Sequence, residues 1–461
     1  LNYVITVAIS AFFVPHYLGV FWEPLTKSPG DILAGIGVVV ALSAVNVIGV
    51  RESARISSLL TILALATQVL LIILGFALVL NFGTLIDNVH WGVAPRWGDF
   101  ALAIAVAMIS YTGIETLSNM AEEARNPRRI IPRSMRFVVI AVLVISAGLP
   151  AVALSAMPVT ESGGEFSTVL ATDFAADPVL GIVRNMDLGV LATPMEFYVG
   201  LLAAIILLVA TNAGIIGVSR LTYSMGQYQQ LPDRLRHISP RSRTPVVAIV
   251  VFGVVASLMI IPGQAKFLGT MYTFGAMLSF TIAHAALIGL RWRLARNKMR
   301  ELPGDVRVTN GKEEWYRAPL NLRLRGVDIP LFAVIGGLGT LAAWVVVMAL
   351  ESVTLLAGSA WLVVGLALYV VYRRRRGLTL TETRKVELPP LAGVEPVKYP
   401  SVLAAFEEDT YSESAMATAL KLASHKRGNV RVVVTLTTPQ HLDIDAPLGE
   451  AEETAQSIIE A

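Results

Sequence analysis

The sequence has no cysteine, which removes disulfides, thiolate metal sites and cysteine nucleophiles from consideration. Its six histidines are scattered without metal-ligand spacing, so no metal, no cofactor and no membrane-embedded enzyme is expected. No Gly-x-x-x-x-Gly-Lys-[Ser/Thr] stretch occurs, so nucleotide hydrolysis is not the expected source of energy. Filter-like repeats and rings of like charge are also missing, and this argues against a channel. Charge itself is scarce. Only 15% of the 461 residues are Asp, Glu, Lys or Arg, whereas a soluble chain carries about a quarter. Such a chain has too little polar surface to face water on all sides.

What it has instead is apolar length. Apolar types make up 54% of the residues, and the mean hydropathy is +0.64. Residues 56–80 and 334–350 contain no charge at all. A soluble enzyme with buried parallel strands has apolar runs of about 4–8 residues, not of about 20. The expected class is therefore an all-α polytopic membrane protein lying in a lipid bilayer. Its net charge of +3 serves topology and anionic lipid, not nucleic acid. No signal peptide is visible. The first residue is Leu1 inside an apolar segment, so an N-terminally shortened chain is expected.

Ten segments have the length that crosses about 30 Å of hydrocarbon: 1–18, 31–50, 57–80, 100–121, 136–156, 197–220, 246–262, 267–290, 329–350 and 354–372. Arginine follows every second one. Arg51 and Arg55 come after the second, Arg125 to Arg136 after the fourth, Arg234 to Arg243 after the sixth, Arg291 to Arg300 after the eighth, and Arg373 to Arg376 after the tenth. The alternate loop 157–196 carries six acids, among them Glu161, Glu165, Asp173, Asp177 and Asp187, against Arg184 alone. The asymmetry places the basic loops, residue 1 and the C-terminus on the cytoplasmic side of a plasma membrane.

Residues 378–398, with Pro389 and Pro390 adjacent, form a linker between a transmembrane part, 1–377, and a cytoplasmic α/β segment, 399–461. Tyr399–Phe406 and Val430–Thr437 have strand character, and 412–425 has the pattern of an amphipathic helix. A strand–helix–strand unit of this size is too small to bury a core alone, so the segment is expected to be partial.

The fourth segment holds the sharpest signal. Between Asp99 and Glu122 the one charge is Glu115, within Ser110-Tyr111-Thr112-Gly113-Ile114-Glu115-Thr116. A carboxylate at membrane depth costs several kcal/mol unless it is paired, protonated or facing water. Its neighbours Ser, Tyr, Thr and Gly are poor helix formers. Together they predict a helix that unwinds near the midplane, where freed backbone groups bind a solute. The competing reading is a continuous helix with Gly113 as a packing contact.

Tyr111-Thr112-Gly113-Ile114-Glu115, followed by Glu122-Glu123-Ala124-Arg125-Asn126-Pro127 and Ile131-Pro132-Arg133, resembles the sixth helix and following loop of the amino acid–polyamine–organocation (APC) permeases. Asn46-Val47-Ile48-Gly49-Val50-Arg51 is similar to that family's exit from its fourth helix. Ser219-Arg220-Leu221-Thr222-Tyr223, with Thr244-Pro245, is similar to the exit from its eighth. The resemblance covers roughly 1–376. It implies an inverted-repeat, LeuT-like fold in which these ten segments are helices three to twelve of twelve, helices one and two being missing. It also implies a secondary active transporter of amino acids or related amines. Thr112, Gly113 and Ile114 are then backbone contacts for the substrate, Tyr111 is an aromatic gate, and Glu115 is a proton-responsive acid.

Other candidates lie in neighbouring segments. Asn212 either lines the cavity or bonds another helix. Tyr272, in Tyr272-Thr273-Phe274-Gly275, either lines the route or anchors at the interface. His284 either relays protons or is simply hydrogen-bonded. The tail resembles the first half of a universal stress protein domain, which implies a possible nucleotide at the complete domain. A solute-binding nutrient sensor signalling through the tail is the alternative function.

Overall fold

The computed structural model describes residues 1–49, 54–87, 89–114, 117, 127–163, 165–240, 242–295, 320–324, 327–381, 401–407, 415–416, 418–420, 429–436 and 449–460. The chain divides into two compact units, Leu1–Lys385 and Val386–Ala461.

The first unit is built of ten principal helices: α1 (Asn2–Leu18), α2 (Gly30–Ile48), α3 (Ala54–Leu78), α4 (Trp97–Ala107), α5 (Pro127–Ala156), α6 (Ala192–Gln227), α7 (Val246–Ile260), α8 (Ala265–Ala295), α9 (Leu331–Leu350) and α10 (Ser352–Arg375). Seven of the described helices are long and apolar enough to cross a membrane. Three shorter apolar ones, Asn2–Leu18, Trp97–Tyr111 and Val246–Ile260, complete the series. Each overlaps one of the ten segments expected from hydropathy, though some helices overrun theirs and α4 falls short of 121. α5 starts at Pro127, not at 136, and α6 runs to Gln227, not 220. Hydropathy marks the hydrocarbon layer, whereas intrahelical hydrogen bonds continue into the polar zone through Arg128, Arg129 and Arg133.

α1 is the centre of the unit. It packs against α2, α6, α7 and α8, and most of its side chains are buried. Val4, Val7, Ala8, Ala11 and Phe12 meet Val39 of α2, Ile215 and Val218 of α6, Ile249, Ala256 and Ile260 of α7, and Leu268 of α8. Close approach depends on small residues, the usual device where lipid supplies no hydrophobic drive between helices. A Cβ on Gly35 of α2 would stand 3.2 Å from the Ala11 carbonyl oxygen, and one on Gly214 of α6 would stand 2.8 Å from Val7. The outer faces are apolar: Leu59, Ile62 and Ile73 of α3, Phe137 and Ile140 of α5, and Val363, Leu366 and Leu368 of α10 are exposed. Apolar surface of that extent belongs against lipid.

Two antiparallel hairpins lie outside the helices, β1 (Thr160–Ser162) with β2 (Glu165–Ser167) and β3 (Asn321–Leu324) with β4 (Val327–Pro330). In the second unit β5 (Ser401–Glu407) and β6 (Asn429–Thr435) pair in parallel, from Ser401 beside Asn429 to Glu407 beside Thr435. Parallel neighbours require a crossover connection. Ala419, in its described part, packs on Ala404 and Phe406. Most of the helix expected at 412–425, and of the linker 378–398, lies outside the described residues. A last helix, α11 (Glu450–Glu460), follows.

Candidate functional site

The helix is interrupted where its sequence favours it least. α4 ends at Ala107 and tightens into a 3-10 turn, Met108–Tyr111. Thr112 is extended, with φ −69° and ψ 150°, and Gly113 has φ +95°. Side chains support the exit: Ser110 donates to the Ala107 carbonyl at 2.6 Å and Thr112 to that of Ile109 at 2.7 Å. Ser and Thr offer the backbone such local alternatives to the helical ladder. Gly113 is needed for its backbone angle and not for space, because a Cβ there would meet nothing within 4 Å. Tyr111 and Ile114 flank the break, both half-buried. Glu115 lies outside the described residues.

The break packs on α5 and α8. From α8, the Tyr272 hydroxyl stands 2.8 Å from the Thr112 hydroxyl and 3.0 Å from that of Thr6 on α1. Thr6 also reaches the Asn2 carbonyl at 3.0 Å. Three hydroxyls from three helices therefore meet at the break. They share three protons among four contacts, counting the carbonyls of Asn2 and Ile109. At any moment one of the four contacts has no proton between its oxygens. α1 closes on α8 beside this cluster because Gly275 has no side chain to hold off Leu1 and Asn2.

Asn212 belongs to a second constellation. Its carbonyl oxygen accepts from Asn46 Nδ2 of α2 at 2.6 Å. The end of α2 then turns at Gly49, φ +86°, where a Cβ would stand 2.7 Å from the Ser242 carbonyl oxygen. Thr244 donates to the Val47 carbonyl at 3.2 Å. The stretches Asn46–Gly49 and Thr244-Pro245, distant in sequence, thus meet in space with Asn212 nearby.

His284 sits in the contact of α8 with α9. Its Nδ1 donates to the Phe280 carbonyl at 2.7 Å, and its ring lies on Gly336 and Gly337. One turn away Thr281 donates to Thr340 of α9 at 2.9 Å. The structure thus brings Thr112 and Tyr272 together, whereas Asn212 and His284 are engaged in other contacts. Thr6 joins the site unannounced. Its hydroxyl is one of several in α1, beside those of Tyr3, Ser10 and Tyr17, and only the rotation of α1 shows that it faces Tyr272. Among the described residues no group of three or more His, Cys, Asp or Glu is placed to hold a metal.

Residues 1–308 match a family described as amino acid permease. The b(0,+)-type amino acid transporter 1 of Homo sapiens is 27% identical over 255 residues, which are 55% of this chain and 49% of that protein. The branched-chain amino acid permease BcaP of Bacillus subtilis is 22% identical over 359 residues, 76% of this chain and 68% of that protein. An uncharacterized transporter of Mycobacterium tuberculosis is 26% identical over 259 residues, 55% and 54% respectively. The chain spans about half the length of the human and mycobacterial relatives, 49% and 54%.

Proposed function

The chain belongs to the amino acid permease family, a family of transporters and not of enzymes, and from that premise we propose that it is the greater part of a secondary active transporter. The substrate is an amino acid or related amine, carried across the plasma membrane with protons as the coupling ion. The chain is multi-pass with its C-terminus in the cytoplasm. The fold proposed is the inverted repeat, with these helices as three to twelve of twelve. Alternating access turns on the break at Tyr111–Glu115.

The observation that carries this reading is the helix end at Thr112–Gly113 facing the hydroxyl of Tyr272. A broken helix in a bilayer persists only where its free backbone groups face protein or a cavity. Groups of this kind bind the charged ends of solutes in transporters. In the proposed roles Thr112, Gly113 and Ile114 contact the substrate's amino group through the backbone, and Tyr111 covers it. Tyr272 accepts from the ammonium. Asn212 contributes by fixing the neighbouring helices. Glu115 and His284 carry the coupling proton.

A second reading, a nutrient sensor, is favoured by the separate compactness of Val386–Ala461. For that unit we keep the universal-stress-protein likeness, with a nucleotide as the ligand of the complete domain.

The deciding experiment is uptake of a labelled amino-acid panel by the full-length protein in liposomes, with and without an inward proton gradient. Gradient-driven uptake that Glu115→Gln abolishes or uncouples is expected. Binding without any uptake would move the sensor ahead.

A further inference from the structure

The apolar run that forms α3 outlasts the helix. After Arg55 the next charged residue is Asp87, yet α3 ends at Leu78. Its 25 residues make a helix about 37 Å long, at about 1.5 Å per residue. That exceeds the hydrocarbon core of about 30 Å and falls short of the roughly 40–45 Å that includes the headgroups. The connection from α3 to α4 has therefore left the hydrocarbon, while its side chains remain those of a lipid-facing segment. Phe82, Ile86, Trp91, Val93 and Trp97 are each 59–72% exposed. They follow along the chain from Ile73, Phe76 and Leu78, which are exposed on α3. Asp87, His90 and Arg96 are exposed among them.

The connection has a fixed shape. Asn81 opens a short helical turn, Phe82–Ile86, and its side chain accepts the Gly83 N–H at 2.9 Å. The Asn81 N–H donates to Ser155 of α5 at 3.4 Å. Further on, His90 and Ala94 exchange two backbone hydrogen bonds of 2.8 Å, and the Gly92 N–H donates to the Pro95 carbonyl at 3.0 Å. Gly92 has φ +89°, and a Cβ on it would stand 3.1 Å from Trp97 Nε1. The indoles of Trp91 and Trp97 stack, with 5.9 Å between centroids and 18° between planes. Phe100 meets Trp91 edge-on at 5.1 Å. Trp97 and Phe100 belong to the first turn of α4, so the aromatic group ties the connection to that helix. Backbone groups closed into such turns lie beside lipid at lower cost than open ones.

Two of the three surroundings do not suit this mixture. In hydrocarbon, Asp87 and Arg96 would be charges without water. In water, five large apolar side chains would stay exposed together. The headgroup layer accommodates both kinds, and indole, an apolar body with one N–H, is enriched there.

We infer that residues 82–87 and 89–97 form an interfacial anchor, whose apolar side chains lie in the lipid headgroup layer and hold the start of α4 at a fixed depth. An anchor of this kind needs only a bilayer crossed by α3 and α4, whatever solute is carried. Because α4 leads from Trp97 to the 3-10 turn before Thr112, the anchor also sets the depth of the break.

Nitroxide labels test it, each on the single cysteine of the full-length protein in lipid nanodiscs. Power-saturation EPR compares collisions with oxygen, which concentrates in lipid, and with a water-soluble nickel chelate. Ile73→Cys on α3 gives the hydrocarbon value, and Glu165→Cys on the β1–β2 hairpin gives the water value. Labels at Ile86→Cys and Val93→Cys should give oxygen-to-nickel ratios between the two. A ratio equal to that at Glu165 places the connection in water and overturns the anchor. So does a ratio equal to that at Ile73, or a label shielded from both reagents, which marks a covering protein. The hold on α4 is read from a label at Ile104→Cys, an exposed position of that helix. Its ratio should shift in Trp91→Ser and stay at the wild-type value in Trp91→Tyr. An unchanged ratio in Trp91→Ser overturns the hold on α4. The labels at Ile86 and Val93 keep both indoles, so they decide the location whether or not that variant folds.

Discussion

At the scale of single residues, the chemistry turns on hydroxyl and carboxyl groups in apolar surroundings. Tyr272 touches Thr6 and Thr112 and has one proton to give. Replacing it by Phe keeps the ring and its packing but removes the oxygen proposed to accept from an ammonium. A lost hydrogen bond of about 0.5–1.5 kcal/mol corresponds to a roughly 2- to 13-fold rise in KM. Initial-rate uptake kinetics check it, and Thr112→Ser, which keeps a hydroxyl, should stay near wild type. Asp177, in the loop between α5 and α6, makes a different prediction. Burial raises its carboxyl above the usual range, and Arg184 and His16 only partly offset this. The folded state therefore holds that proton to a higher pH than the unfolded chain does. Stability contributed by this group is full below the ordinary aspartate value and falls as pH rises through the raised one. Asp177→Asn removes the dependence. The difference in melting temperature, variant minus wild type, should grow from about pH 4 upward.

At the scale of elements the break is the central feature. Thr112 and Gly113 were legible as a helix end because each residue there disfavours the helix for a local reason, hydroxyl competition or backbone freedom. At Gly113 that reason is φ +95° with open space around it. Gly113→Ala should then cost about 1–2 kcal/mol in a thermal or denaturant melt. Gly113→Asn, whose side chain tolerates positive φ, should recover part of it. If the two variants melt alike, the angle is not the reason for glycine. Helix ends were less legible. α5 and α6 overrun their apolar segments because nothing in hydropathy records where a solvated helix stops. α4 is shorter than the 100–121 expected because the apolar pattern continues through the break while the hydrogen-bond ladder does not.

At the scale of the whole molecule, the chain divides into two compact units between Lys385 and Val386, within the polar, proline-bearing stretch 378–398 of the sequence. Each has its own apolar cluster, around α1 in one and Ala404 and Phe406 in the other. Truncation after Lys385 should leave the first unit folded. Its melting temperature and its elution as a single species in size-exclusion chromatography should match those of the longer chain.

Composition and order of residues were enough for the class, the ten apolar helices and the place of the break. Those features follow from local causes, namely the transfer cost of charge, the length of a helix across hydrocarbon and the helix preference of a few neighbours. Which side chains share a site was decided only in three dimensions. Thr6 meets Tyr272 across 266 residues, Asn212 meets Asn46 across 166, and His16 faces Asp31 through the turn between two helices. Each pairing depends on the rotation and depth of one helix against another. In a bilayer those are settled by small residues such as Gly35, Gly214 and Gly275 acting together, and no pattern along a single helix contains them.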